Sequence, residues 1–237
     1  MARLFGLLAA AALVLSALNA QAAVFSVTSA GSTFNVDPFV TTDTSAGFYS
    51  LGSPVGASAN TPVPIAQSNA VVMFLLDSST SGTGGISIGT IVDAVTDGSA
   101  GTLSMQLINL LGSPTLAVSD DPNEAALNGS SLIADFTWFV CCTDGFLVDG
   151  LPATSLDVQY SITASTGIDE ILFATPDGMG GVNFTEIGLT GTINGIIPLP
   201  ASVWLLLGAV GALATFRQCT RRIARRARAT APRDTAA

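Results

Sequence analysis

Between Leu156 and Thr163 the chain alternates without a break. Leu156, Val158, Tyr160 and Ile162 are apolar, and Asp157, Gln159, Ser161 and Thr163 are polar. A strand turns successive side chains to opposite faces, so this pattern buries one face and wets the other. A helix would smear it around its circumference. Leu103, Met105 and Leu107 alternate with Thr102, Ser104 and Gln106 in the same way. The runs AVVMFLLD (70–77) and SLIADFTWFVC (131–141) are denser in apolar residues, which suits strands inside a sandwich. In GVNFTEIGLTGTI (181–193) the apolar phase changes at Glu186, from Val182 and Phe184 to Ile187, Leu189 and Ile193. A β-bulge produces such a change.

Turn chemistry separates these runs. Asp-Gly begins at 97, 144, 149 and 177 and Asn-Gly at 128 and 194, with TPDGMGG (175–181) the strongest turn signal. Between the two ends no segment carries a sustained 3.6-residue apolar stripe, and no internal repeat is present. Residues 29–69 are rich in Ser, Thr, Ala, Gly and Pro, and SPVGASANTPVP (53–64) reads as a loose connection. Short strands and frequent glycine turns in a chain of 237 residues predict one all-β domain, an antiparallel β-sandwich or jelly roll.

Charge narrows what such a domain meets. Of the eight cationic residues, all arginine, only Arg3 precedes Phe216, whereas every one of the seventeen acids except Asp234 lies before it. The stretch from Leu4 to Phe216 therefore carries about −16 at neutral pH. Such a surface repels nucleic acid and anionic headgroups and attracts divalent cations.

Both ends read as targeting segments. MARLFGLLAAAALVLSALNAQA (1–22) has one arginine, an apolar run and a small-residue site, the layout of a signal peptide cleaved after Ala22. The acidic body then spans 23–195. Residues 196–216 carry no charge and would make a helix of roughly 31 Å, or roughly 24 Å if Pro198 and Pro200 delay it to Ala201. Trp204 stands where an interfacial aromatic sits. Arg217, Arg221, Arg222, Arg225, Arg226 and Arg228 follow, a stop-transfer signal that holds the 217–237 tail in the cytoplasm and leaves the body outside.

The stretch IPLPASVWLLLGAVGALATFRQCTRR resembles the VPLPA-type variant of the PEP-CTERM sorting signals, which join a short Pro-containing motif, one span and a terminal basic cluster. Here the motif is Ile197, Pro198, Leu199, Pro200 and Ala201, with Ile in the usual Val position. The resemblance covers the C-terminal segment alone. It implies export by a Gram-negative bacterium, passage through the inner membrane, recognition by an exosortase that removes the span, and association with extracellular polysaccharide and biofilm matrix.

The residue inventory limits chemistry. The chain has no His and no Lys, and its body has no Arg. That removes the usual general base, His-ligated zinc, a Schiff base, and any cationic clamp on phosphate or carboxylate. Carboxylates remain. Asp120, Asp121, Asn123 and Glu124 in SDDPNEAALNG offer hard oxygen ligands to calcium, although without EF-hand spacing. Asp120, Asp121 and Glu124, or Asp169 with Glu170, could also form a glycosidase pair. Adjacent Cys141 and Cys142 sit on the exported side, where a vicinal disulfide, free thiols or a cross-link between chains are open to them; Cys219 lies in the tail. The leading expectation is a non-catalytic surface or matrix protein. The alternative is a glycan-binding or glycan-cleaving module using carboxylates and exposed aromatics such as Trp138, Tyr49 or Phe48.

Overall fold

A computed structural model describes residues 23–52, 58–59, 61–78, 85–93, 100–140 and 142–196. The leader, the sorting motif from Ile197, the span, the arginine tail and Cys141 lie outside the described residues. Among the described residues no helix is long and apolar enough to cross a membrane.

In chain order the strands are β1 (Val24–Ser29), β2 (Ser32–Val36), β3 (Phe39–Val40), β4 (Leu51–Gly52), β5 (Ser58–Ala59), β6 (Ala70–Asp77), β7 (Ile86–Val92) and β8 (Gly101–Ile108). They continue as β9 (Thr115–Ser119), β10 (Ala125–Asn128), β11 (Ser131–Trp138), β12 (Asp144–Leu151), β13 (Ser155–Thr166), β14 (Glu170–Pro176), β15 (Val182–Glu186) and β16 (Thr190–Ile196). Among the described residues a short helix, α1, spans Ser45–Tyr49. Thr44 caps it, its Oγ1 accepting from Gly47 N at 3.0 Å.

The first sheet runs β10-β11-β8-β13-β16-β1-β2 and is antiparallel throughout. The second runs β15-β14-β6-β7-β12-β9, with β3 beside β6. It is mixed, not antiparallel as expected, because β14 and β3 both pair with β6 in parallel. The inner faces of the two sheets share one apolar core that includes Val27, Met73, Leu107, Phe136, Phe146, Val158 and Ile193.

β13 buries its apolar residues through Ile162 and wets the polar ones between, as its sequence requires. β6 is buried on both faces. Its outward Val72, Phe74 and Leu76 join a second core with Phe39, Phe48, Tyr49 and Ile65. β11 differs from the dense run expected of it. It alternates, with Ile133, Asp135 and Thr137 outward, and ends at Trp138, leaving Phe139 and Val140 exposed.

The phase change at Glu186 is not a bulge. β15 belongs to the second sheet and β16 to the first, so the chain crosses between sheets there. Tyr160 Oη and Gly188 N both bond Ser29 Oγ at 2.8 Å and fasten that crossing. Asp144-Gly145, Asp149-Gly150 and Asn194-Gly195 are also not turns but lie within β12 and β16. At Gly145 a Cβ would meet Tyr49 Oη and Thr90 O, so glycine serves a close approach.

Val24 pairs with Ile196, so the sandwich begins and ends on neighbouring strands at one end. Ile196 is the last residue of β16. Ser155 pairs with Ile196, while Thr166 at the far end of β13 pairs with Thr102, which in turn pairs with Thr137. The 102/137/166 end is therefore roughly 36 Å from the end that holds Val24 and Ile196, at about 3.3 Å per residue along the strand.

Candidate functional site

At that far end two connections cross between the sheets. Residues 120–124 lead from β9, on the edge of the second sheet, to β10, on the edge of the first, and residues 139–143 lead from β11 back to β12. Backbone bonds fix the first crossing. Asp120 N donates to Gly145 O at 3.1 Å, Asp135 N to Glu124 O at 2.8 Å, and Asn123 takes the left-handed turn at φ 75°. Glu124 Oε1 accepts from Thr137 N at 3.2 Å. Asp144 opens β12 opposite Val92 and is 3% exposed. Asp121, Glu124 and Asp144 each bring an oxygen within 4.8 Å of the others.

Burial dominates the electrostatics. It pushes Asp144 up to about 8, helped by its hydrogen bond to Glu124 and by the charges of Glu124, Asp120 and Asp121. Burial also raises Glu124, against the bonds it accepts from Asp144 and Thr137 N. Asp120 rises to about 7 through burial, opposed by the Tyr49 hydroxyl and reinforced by Asp121 and Glu124. Tyr49 is itself raised well above its usual value by burial and then by the charge of Asp120. Its Oη lies 3.2 Å from Asp120 Oδ2 and 3.4 Å from Thr90 O, and its single proton serves one at a time. Asp120 Oδ1, Glu124 Oε2, Thr90 Oγ1 and Trp138 Nε1 are buried without a partner.

Of the four residues expected to bind calcium, Asp121 and Glu124 come together. Asp120 instead bonds Tyr49 beside them, and Asn123 is an exposed turn former. Asp144 joins from the start of β12. Its sequence signal was an acid two residues past the WFVCC run, masked by the Asp-Gly pair that reads as a turn. Asp169 and Glu170 are exposed and outside the group. Trp138, Tyr49 and Phe48 are 2%, 0% and 5% exposed, so none of them offers a stacking platform, contrary to the glycan-module expectation. Cys142, beside the corner, is disulfide-bonded.

Chemically, the corner can share a proton or hold a hard cation. A glycosidase needs two carboxyls flanking a bond at about 5 Å or more. Here the oxygens converge on one another and Asp144 is closed off from solvent, which leaves no place for a sugar between them.

A second feature lies on the outer face of the first sheet. Thr33, Thr28, Thr192, Gln159 and Ile108 form one lateral row across five strands. A concavity of about 310 Å³ beside it is lined by Ile108, Gln159, Tyr160, Ser161, Thr190, Gly191 and Thr192. No family model matches the chain, and no curated protein or solved structure is significantly similar to it.

Proposed function

We propose that the chain is an exported surface or matrix component, non-catalytic, whose working part is the acidic sandwich. A leader at 1–22 carries it across the inner membrane. The Ile197–Ala201 motif, the span and the arginine tail hold it there until an exosortase-type enzyme releases or transfers it. The observation that supports this reading most is the pairing of Val24 with Ile196. Val24 and Ile196, the strand residues next to the leader and the sorting segment in sequence, lie side by side at one end of the sandwich. The outer face of the first sheet carries hydroxyl and amide side chains suited to hydrogen bonding along an extracellular polysaccharide.

Intact mass of the protein from membrane and extracellular fractions of its native host tests the sorting. A product from Ala23 to about Pro200, enriched in the matrix and bound to extracted polysaccharide, is expected. A species that keeps Arg217 and stays in the inner membrane would sink the exosortase part. Polysaccharide hydrolysis lost in Glu124→Gln would move the protein to the enzyme class.

A further inference from the structure

We infer that Asp121, Glu124 and Asp144 form a binding site for one divalent cation of the calcium type, which ties the 120–124 crossing between the sheets to the start of β12.

Three carboxylate oxygens within 4.8 Å of one another would not by themselves make a site. The independent observation is the state of the oxygens around them. Asp120, 7% exposed, buries Oδ1 without a partner, and Glu124 buries Oε2 without one. A buried carboxylate oxygen without a donor is costly, and the usual remedy is a nearby Lys, Arg or His. This chain has none between Leu4 and Phe216, so no side chain of the body can supply the missing positive charge. Neutralising charge therefore comes from solution, as protons or as a cation, and the three converging oxygens suit a cation.

The donor set selects the ion. All available donors are oxygen, with no histidine in the chain and Cys142 committed to a disulfide, which disfavours zinc and copper. Magnesium demands a near-octahedral shell and keeps its waters, whereas calcium accepts irregular carboxylate sets and completes its coordination with water. Asp121 is exposed and gives the ion its entry side, while Glu124 and Asp144 supply the inner ligands. Asp121 and Glu124 belong to the 120–124 connection and Asp144 to the start of β12, so one ion joins the sheet-to-sheet crossing to a strand of the second sheet. The site does not rest on the sorting reading, and either can fail without the other.

The test is isothermal titration of the full chain in detergent with CaCl₂ after EDTA treatment. Terbium luminescence, excited through Trp138 and Tyr49, is read in parallel. One saturable calcium per chain and a calcium-dependent rise in melting temperature are expected. Asp121→Asn is the decisive variant because the residue is exposed and its loss leaves the core intact. It should weaken calcium by roughly tenfold or more, as should Glu124→Gln. Asp157→Asn, which changes an acid on the outer face of the first sheet, should leave affinity unchanged. The inference is overturned if calcium gives no saturable binding at millimolar concentration. It is equally overturned if Asp121→Asn binds as well as the parent, or if Asp157→Asn weakens binding as much as Asp121→Asn does.

Discussion

The two sheets treat their outer faces differently. The first presents Thr28, Ser104, Gln106, Gln159, Ser161 and Thr192 to solvent, and its strands alternate accordingly. The second is covered. α1 and the segment around Ile65 lie on β6 and β7, every residue of β7 is buried, and β6 is buried from Ala70 through Leu76. Phe39, Phe48 and Phe74 meet there with ring centroids 6.1 to 6.3 Å apart, and the Phe74 ring lies where a Cβ on Gly89 would go. Solvent thus reaches the first sheet from one side and the middle strands β6 and β7 of the second from neither, while β15 at its edge stays exposed. A chain so built keeps one broad polar face open to solvent and uses the other for its own stability.

The sharpest way to break that comparison is Phe74→Ala. The residue is fully buried on an outward face, so truncation should cost about 3–5 kcal/mol of unfolding free energy in urea titration. A loss near zero would mean that the α1 layer does not cover the sheet.

The second expected effect concerns the corner where the sheets meet. Asp120 and Asp144 are raised to about 7 and about 8, above the usual carboxyl value they recover on unfolding. Between about pH 4 and pH 8 the folded protein therefore binds more protons than the unfolded chain. Stability without added cation should be greatest near the low end of that window and fall as pH rises, by on the order of a few kcal/mol. Urea titrations in EDTA at about pH 5 and about pH 8 check the sign, and Asp144→Asn should flatten the slope. Stability that rises with pH would show that these acids ionise freely in the fold.

The same contrast explains what the sequence disclosed. β13 and β8 could be read directly because one wet face imposes a period of two. β6 could be read as buried, but a run buried on both sides does not say what covers it or that β14 would join it in parallel. α1 escaped because five residues, Ser45–Tyr49, hold too little of a 3.6-residue period; its trace was only the capping Thr44. At the corner, Asp121 and Glu124 were visible as neighbours in one acidic loop. Asp144 arrives through the register of β12, a contact no local pattern carries, and Gly145 behind it gave a turn signal for a position that needs room beneath Tyr49.

A smaller effect tests how the covering layer is fastened. Ser45 Oγ donates to Asp149 Oδ1 at 2.7 Å, and Ser87 Oγ bonds the same carboxylate, so α1 is pinned to β7 and β12 through one acid. Ser45→Ala leaves Asp149 with Ser87 and should cost about 1–2 kcal/mol. Hydrogen exchange should report faster opening at Phe48 and Tyr49 while β13 stays protected. Equal acceleration in both sheets would mean that the layer and the main core unfold as one.

The smallest effect is expected on the open face. Ile133 is 51% exposed, and its partners across the strands are Gln106 and Ala126. Ile133→Ala removes apolar surface that is mostly wet, so it should cost about 0.5 kcal/mol or less. The value separates two descriptions of that face. If the residue stands in water, the cost stays small and is independent of protein concentration. If a second copy of the chain covers it in solution, truncation costs as much as a core substitution and the melting temperature of the parent climbs with concentration. That outcome would make the first sheet two-faced like the second, and the hydroxyl row beside Ile108 would be an interface between copies and not a surface for polysaccharide.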